Sequence, residues 1–395
     1  MNKTKRRSRK KKSTTRKKRK SFSKVLSIPS FTFSTKNKEL KIRNRSYTPT
    51  FHKKMTRLKT STPLKSIIGS KSFICNDDEI YYSKTKKCYA WNTKKGKSIA
   101  LKNLNSKKKF DIKDIVGPKQ VLGNCWLNCF FVIYFISDKG RKFNRYLRQS
   151  MITGKNIDGR PIKRKLHRLM FIFNKFIESS IRGRHSTINR KYALKMDTNV
   201  LIKEIYKNIP NVNKRLVPNV NEAGNMEEFY EGMMHYFNLE KKVRKHYINK
   251  IDIYEHLIGK RIDNLDMVHF IHNDIYNSHI IVLKIADSDF QNILSNIYFS
   301  KKNLKKITEI KIKDRVFKLD SAALLDNDGN HFSAYITVNG RSCMFEGYSY
   351  ARIVPFEWKK KLNTKKSWKT FKSRVYEDNF NSFMKGYQLL YYYRN

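Results

Sequence analysis

One segment, residues 120–138, constrains the fold of this chain more than any other. A polar turn containing Gln120, Gly123 and Asn124 leads directly into a run of residues that is apolar on every helical face. A helix of that kind lies inside a domain, because no side of it can face water. The run is too short to cross a bilayer, which requires about 20 apolar residues. The segment therefore predicts a central, buried helix that begins near Cys125.

Cys125 falls in the first turn of this helix, with Asn124 as the expected N-cap. The positive end of a helix dipole lowers the pKa of a thiol, and the thiolate is the reactive form. A cysteine in such a place is more often a small buried hydrophobe. Gln120 favours catalysis, because its amide lies upstream, where a donor stabilises the oxyanion of an acyl-transfer intermediate. We interpret Cys125 as a nucleophile and Gln120 as an oxyanion donor.

A general base for this nucleophile is predicted far downstream. His331 follows a turn rich in Asp, Asn and Gly and begins the alternating strand HFSAYITV. Asn339 and Gly340 form a hairpin signal, and the return strand ends just before Glu346. Antiparallel pairing brings Glu346 back towards His331, where the carboxylate orients the imidazole and leaves one ring nitrogen for the thiol.

The rest of the chain contains segments with strand-like patterns and segments with helix-like patterns. Residues 71–110 predict a small β-hairpin with a Lys-Gly turn between its strands. Residues 139–191 are basic and helical in pattern, and an amphipathic helix begins near Asn225. Glu228 on that helix is either a functional group or a surface carboxylate. Residues 280–285 predict a strand of β-branched and apolar side chains.

The net charge of +54 over 395 residues exceeds what an enzyme with a neutral substrate needs. It indicates a polyanionic partner such as nucleic acid. Residues 1–65 contain a single acid, Glu39, and begin with a run of Lys, Arg, Ser and Thr, so they are predicted to be a disordered tail. The tail is interpreted as a nuclear-localisation signal or a phosphate-binding arm, with a merely solubilising role as the alternative.

The five cysteines are odd in number and lack paired spacing, which predicts free thiols in a reducing compartment. Cys75 and Cys88 are too few for a metal site, and no metal or other cofactor is expected. Neither a secretory segment nor a membrane span is recognised, so we expect the nucleus, the cytoplasm or a virion. The excess of Lys, Asn, Ile, Tyr and Phe is typical of an AT-rich genome, such as that of a large DNA virus or a protozoan.

These motifs, in this order, resemble those of the ubiquitin-specific proteases, which are papain-like deubiquitinases. The segment QVLGNCWLNCFF is similar to the family's cysteine box, GNMEEFYEGMMHYF to its second box, and NSHIIVLKI to its central strand. FKLDSAALLDNDGNHFSAY and CMFEGYSYARI resemble its histidine box, and KGYQLLYYYRN its closing strand. The resemblance covers residues 113–395 and implies an α+β, papain-like fold with a helical thumb, a β-rich palm and reduced, zinc-free fingers.

The same resemblance implies roles for individual residues. Cys125 is the nucleophile, His331 the base, Glu346 the third member of the triad and Gln120 an oxyanion-hole residue. The partner is ubiquitin or a ubiquitin-like protein. Two alternatives stay open: a papain-like or calpain-like endoprotease, and a catalytically inactive nucleic-acid-binding or virion scaffold protein.

The chain accordingly divides into three predicted parts. Residues 1–65 form the basic tail, residues 66–112 a small N-terminal element containing a hairpin, and residues 113–395 the catalytic domain. The fingers are expected between residues 239 and 275.

Deleting residues 1–65 is expected to remove most binding to duplex DNA, because this segment carries the densest positive charge. Each neutralised phosphate releases counterions, so the binding constant falls with salt by a log-log slope of about 0.9 per contact. Titrating a labelled duplex at several salt concentrations gives this slope for the full and the shortened chain. A shallow residual slope is expected after deletion, whereas equal slopes would place the polyanion site on the remaining residues.

Overall fold

The computed structural model describes residues 75–106, 110–120, 124–156, 159–183, 187–214, 218–219, 224, 226–236, 245–249, 278–285, 308–312, 314–326, 331–347, 353–364, 368–369, 380–383 and 387–395. The predicted tail lies outside these residues, as do most of the segment assigned to the fingers and the turn that precedes His331. Within the described residues the architecture is mixed α/β.

Helices occupy most of the first half of the described chain. In order they are α1 (Lys94–Leu104), α2 (Cys125–Phe135), α3 (Asp138–Phe143), α4 (Arg145–Thr153), α5 (Arg164–Ile181), α6 (Thr187–Lys195), α7 (Thr198–Asn208), α8 (Asn211–Lys214) and α9 (Met226–Tyr236). Short 3₁₀ helices cover Ile112–Asp114 and Trp358–Lys361. Among the described helices, none combines the length and the apolar content that a membrane span requires.

Strands dominate the second half. They are β1 (Glu79–Tyr82), β2 (Lys87–Ala90), β3 (Lys245–Asn249), β4 (Ile280–Ile285), β5 (Glu309–Ile312), β6 (Arg315–Asp326), β7 (His331–Val338), β8 (Arg341–Phe345), β9 (Ile353–Pro355), β10 (Trp368–Lys369), β11 (Phe380–Asn381) and β12 (Gln388–Arg394). The strand predicted at residues 280–285 is confirmed as β4, and the helix predicted near Asn225 as α9.

The main sheet has the strand order β3-β4-β12-β6-β7-β8-β9, with β5 paired to β6 beside this path. The β3–β4 pair is parallel, and the other described pairs of this sheet are antiparallel. The last strand, β12, lies between β4 and β6. Its run of leucine and tyrosine side chains is buried, as expected for a strand covered on both faces. The end of the chain therefore completes the middle of the sheet.

Helix α2 packs on this sheet, chiefly against β7, and all of its residues are buried. Aromatic contacts join it to both its neighbours. Tyr134 stacks on Phe130 with a centroid distance of 4.5 Å and on Tyr230 of α9 at 4.4 Å. Its hydroxyl donates to that of Tyr391 in β12 over 3.4 Å. The predicted central helix is thus confirmed, and it belongs to one core shared by helices and sheet.

The predicted N-terminal hairpin is present, but its turn was wrongly placed. Strands β1 and β2 pair around residues 83–86. The Lys95–Gly96 pair instead lies in the first turn of α1, where Thr93 accepts a hydrogen bond from the Gly96 amide. A Cβ on Gly96 would lie 2.3 Å from the Ala90 carbonyl oxygen, so glycine is required by this close approach. The residues that follow form a helix and not a strand, because the N-cap hydrogen bond favours a helix more than their weak alternation of apolar and polar side chains favours a strand.

The N-terminal element has a small apolar core of its own. Trp91 and Ala100 pack with Ile152 of α4 and Phe171 of α5. Polar contacts strengthen this attachment, since Lys175 of α5 donates to the backbone of the segment that leads into β1. Through these contacts the hairpin and α1 pack against helices α4 and α5.

The prediction that all the cysteines are free thiols was wrong for two of them. Cys75 and Cys88 form a disulfide that closes the hairpin, whereas Cys125, Cys129 and Cys343 are free and buried. The spacing of the two cysteines along the chain did not indicate this bond, because the pairing of β1 with β2 brings them together. Disulfides persist in oxidising surroundings, so the cysteine count no longer supports a reducing compartment.

Alkylation of the denatured chain without reductant is expected to label only Cys125, Cys129 and Cys343. Peptide mass spectrometry before and after reduction identifies the labelled positions. Replacing Cys88→Ser should expose Cys75 to label and lower the free energy of unfolding by about 3 kcal/mol, because a short closed loop is released. Labelling of Cys75 in the unreduced native sequence would show that the bond does not form.

Candidate catalytic site

Two elements deliver the predicted site residues to one place. Cys125 is the first residue of α2, and His331 is the first residue of β7, the strand on which α2 packs. Glu346 follows β8, the partner of β7. The chain reverses between them at Asn339 (φ 50°) and Gly340 (φ 74°), a pair of left-handed residues that suits a tight hairpin.

The β7–β8 register places Glu346 at the His331 end of the hairpin, because Ala334 lies opposite Phe345. Glu346 Oε1 lies 2.5 Å from His331 Nε2, and both side chains are almost wholly buried. This contact uses one ring nitrogen of the imidazole and leaves Nδ1 for a second partner. Cys125 also lies close enough to the His331 side chain to affect the pKa of the imidazole. The structure thus brings Cys125, His331 and Glu346 together.

The protonation state of His331 follows from these neighbours. Burial alone would lower the pKa of His331, but the charge of Glu346 and the nearby Cys125 outweigh it and raise the pKa to about 10. The imidazole is therefore charged at neutral pH. A charged imidazole thus lies beside the Cys125 sulfur on one side and the Glu346 carboxylate on the other.

The other two free cysteines lie in different surroundings. Burial, followed by the nearby Cys125 and Glu346, raises the pKa of the Cys129 thiol well above its usual value. Burial also raises the pKa of Cys343 to about 12. Both therefore stay protonated at neutral pH and are poor nucleophiles.

Gln120 lies against the residue that follows Glu346. Its backbone N–H donates to the Gly347 carbonyl over 3.3 Å, and its side chain is 3% exposed. A Cβ on Gly347 would lie 3.0 Å from Gln120 Cβ and 3.5 Å from Asn128 Nδ2. Glycine at position 347 therefore lets Gln120 and α2 approach the end of β8.

Asn124 is the N-cap residue of α2, as predicted, but the capping hydrogen bond expected from its side chain is not formed. Its side-chain oxygen accepts from Asn128, and its amide group donates to Thr198 at the start of α7. Thr198 and Asn128 were not identified from the sequence. Asn128 had a signal, since a polar residue inside an otherwise apolar buried helix needs a hydrogen-bond partner. Thr198 had none, because its partners are about 70 residues away in the chain.

The remaining polar candidates lie elsewhere. Glu228 of α9 is exposed, which favours the surface interpretation, and its neighbour Glu227 is the buried carboxylate. Cys75, Glu79 and Cys88 have potential ligand atoms within 4.8 Å of one another. The two sulfurs are bonded to each other, so they do not supply the thiolates that a metal site of this kind uses.

No protein-family model and no curated protein sequence matches this chain. Among solved structures, it is similar to the SAGA DUB module Ubp8/Sgf11/Sus1/Sgf73 bound to monoubiquitin, with 9% identity and a TM-score of 0.38 over 80% of this chain and 79% of that chain. The same module bound to ubiquitin aldehyde gives 11% identity and a TM-score of 0.38 over the same shares of both chains. A yeast SAGA DUBm structure gives 9% identity and a TM-score of 0.29 over 80% of this chain and 78% of that chain. Likenesses this weak do not decide the family, and the proposal below rests on the chain's own residues.

The unfolding free energy is expected to fall as pH rises from about 6.5 to about 10. Folded His331 keeps its proton up to about pH 10, whereas the unfolded chain releases it near 6.5. The stabilisation is therefore complete below pH 6.5 and lost as pH rises through the folded pKa. Denaturant titrations across this pH range should show that the unfolding free energy of His331→Gln declines less steeply with pH than that of the unaltered chain. The same decline in both chains would mean that His331 is not held protonated by the fold.

Proposed function

We propose that this chain is a thiol hydrolase whose nucleophile is Cys125. The observation that carries the proposal is the buried contact of His331 with Glu346 at 2.5 Å, with Cys125 close to the same imidazole. Three residues from separate parts of the sequence thus supply a nucleophile, an acid–base group and an orienting carboxylate. Such an arrangement is the general form of an activated cysteine nucleophile.

The proposed reaction has two steps. In the first, the Cys125 sulfur attacks a substrate carbonyl carbon and forms a C–S bond, while His331 gives its proton to the leaving amine as the C–N bond breaks. In the second, His331 takes a proton from water, whose oxygen attacks the thioester and releases the carboxylic acid product. The proton returns to the Cys125–His331 pair with the departing sulfur. Gln120 is the proposed side-chain donor to the oxyanion of both tetrahedral intermediates.

The proposed substrate is the bond between the C-terminal glycine of ubiquitin, or of a ubiquitin-like protein, and a lysine amine. The order of the sequence motifs supports this choice, since the cysteine box, the second box, the central strand, the histidine box and the closing strand follow one another as in the ubiquitin-specific proteases. An endoprotease with the same three residues and an inactive scaffold protein are the alternatives.

Nucleic acid is a second proposed partner, independent of the hydrolase. The net charge of +54 supports it, because a chain so basic attracts polyanions at ordinary salt concentrations.

Purified chain treated with ubiquitin that carries a C-terminal electrophile is expected to form a covalent adduct at Cys125. Mass spectrometry of the intact product and of its peptides gives the stoichiometry and the site. Cys125→Ala should form no adduct. Cys129→Ala is the matched control and should keep most of the reaction, because Cys129 lies one helical turn away as a protonated thiol.

The remaining outcomes separate the alternatives. Labelling of Cys125 by a small electrophile but not by the ubiquitin probe would favour an endoprotease with another substrate. Failure of a folded chain to react at Cys125 with either reagent would favour the inactive scaffold. Loss of the adduct in a folded Cys129→Ala chain would contradict the assignment of the nucleophile.

A further inference from the structure

A closed ring of three hydrogen bonds lies at the start of helix α2. Asn128 Nδ2 donates to Asn124 Oδ1 over 3.2 Å, and Asn124 Nδ2 donates to Thr198 Oγ1 over 2.6 Å. Thr198 Oγ1 donates to Asn128 Oδ1 over 2.8 Å and closes the ring. Each side chain gives one hydrogen bond and accepts one, and none of them is more than 1% exposed.

Two members of the ring flank the proposed nucleophile along the chain. Asn124 immediately precedes Cys125, and Asn128 lies one turn later on the same helix. Thr198 belongs to a different element, since it is the first residue of α7, after its N-cap Asp197. Asn128 Nδ2 also approaches Gly347, the residue that follows Glu346. The ring therefore ties the first turn of α2 to α7 and lies beside the end of β8.

Apolar packing alone would hold this turn less firmly. The rest of α2 is covered by aromatic and aliphatic side chains, and contacts of that kind depend little on direction. Hydrogen bonds are directional and weaken steeply when their angles change. Because the three side chains are buried, a broken bond leaves a polar atom unsatisfied, so the three bonds are kept together or lost together.

We propose that Asn124, Asn128 and Thr198 are positioning residues that hold the first turn of α2, and with it the Cys125 sulfur, in register with the His331 imidazole. This inference rests on the proposed role of Cys125 as the nucleophile. The three residues do not touch the reacting atoms in this scheme. They act through Cys125, by fixing the backbone on both sides of it.

The test measures the alkylation rate of Cys125 by iodoacetamide as a function of pH, with peptide mass spectrometry to identify the site. In the unaltered chain, Cys125 is expected to react faster at neutral pH than a free cysteine does, because the charged His331 imidazole lies beside it. Thr198→Val keeps the shape of the side chain but removes the hydroxyl. It should slow this reaction by about tenfold or more and move its pH profile upwards, since small misplacements of reacting groups have effects of that size.

Two further variants show whether the hydroxyl acts on the thiol. Thr198→Ser restores the hydroxyl and should recover most of the rate and the pH profile. Thr337→Val is the matched control, because Thr337 also donates a buried hydrogen bond of 2.8 Å, to the Asp320 carbonyl. Thr337 lies six residues along β7 from His331, about 20 Å away. Its loss should lower the thermal midpoint and leave the alkylation profile unchanged.

The outcomes are distinct. An unchanged rate and pH profile in folded Thr198→Val would overturn the positioning role, and so would a Thr198→Ser chain as slow as Thr198→Val. If Thr198→Val does not fold, Asn124→Ser replaces it, since a serine hydroxyl still accepts from Asn128 but is too short to reach Thr198, and the same criteria apply. A Cys125 that reacts no faster than an ordinary thiol in the unaltered chain would overturn the proposed function together with this inference.

Discussion

Helix α2 has no polar face, and the arrangement of the described residues follows from the need to cover it on every side. Each of its aromatic and aliphatic side chains contributes about 2 kcal/mol when fully buried, so an exposed face on this helix would be strongly unfavourable. Strand β7, helix α9 and strand β12 supply the covering surfaces. Because β7 carries His331 at its first residue, the packing that buries α2 also brings the imidazole to the helix N-terminus.

The His331–Glu346 contact is both a structural and an electrostatic constraint. Two charges that are removed from water are tolerable only when they are paired, and loss of one partner from a buried pair costs about 3–5 kcal/mol. The hairpin between β7 and β8 supplies the partner through its register, so the position of the Glu346 carboxylate depends on the turn that joins these two strands. The raised pKa of His331 is a direct result of this placement.

Three buried polar side chains lie near the start of α2, close to Cys125 in the chain, and they bond to one another. The first turn of α2 has no side-chain cap, since the Asn124 oxygen that could accept from the helix backbone accepts from Asn128 Nδ2 instead. A buried donor or acceptor without a hydrogen-bond partner costs about 1–3 kcal/mol. In the closed ring, Asn124, Asn128 and Thr198 each supply a partner for one another and so avoid that cost. Apolar burial thus decides where the helix lies, while a few directional contacts decide how its first residues are oriented.

The sequence by itself determined the elements whose signals are local. The apolar run of α2, the alternation of β7 and the Asn-Gly turn specify a buried helix and a hairpin through side-chain periodicity and backbone preference. The proximity of Glu346 to His331 followed from that hairpin, because the two residues are separated by one turn. These inferences needed no contact between distant parts of the chain.

Only the tertiary structure decided the features that depend on such contacts. The Cys75–Cys88 disulfide, the helix α1 in place of a second strand-like segment, and the partner of Asn124 all differed from expectation. In the last of these, the Asn124 oxygen that would accept a capping bond accepts from the buried Asn128 side chain instead, while the Asn124 amide group donates to Thr198. The central position of β12 likewise depends on pairing with strands up to about 110 residues earlier, which periodicity within the strand does not specify.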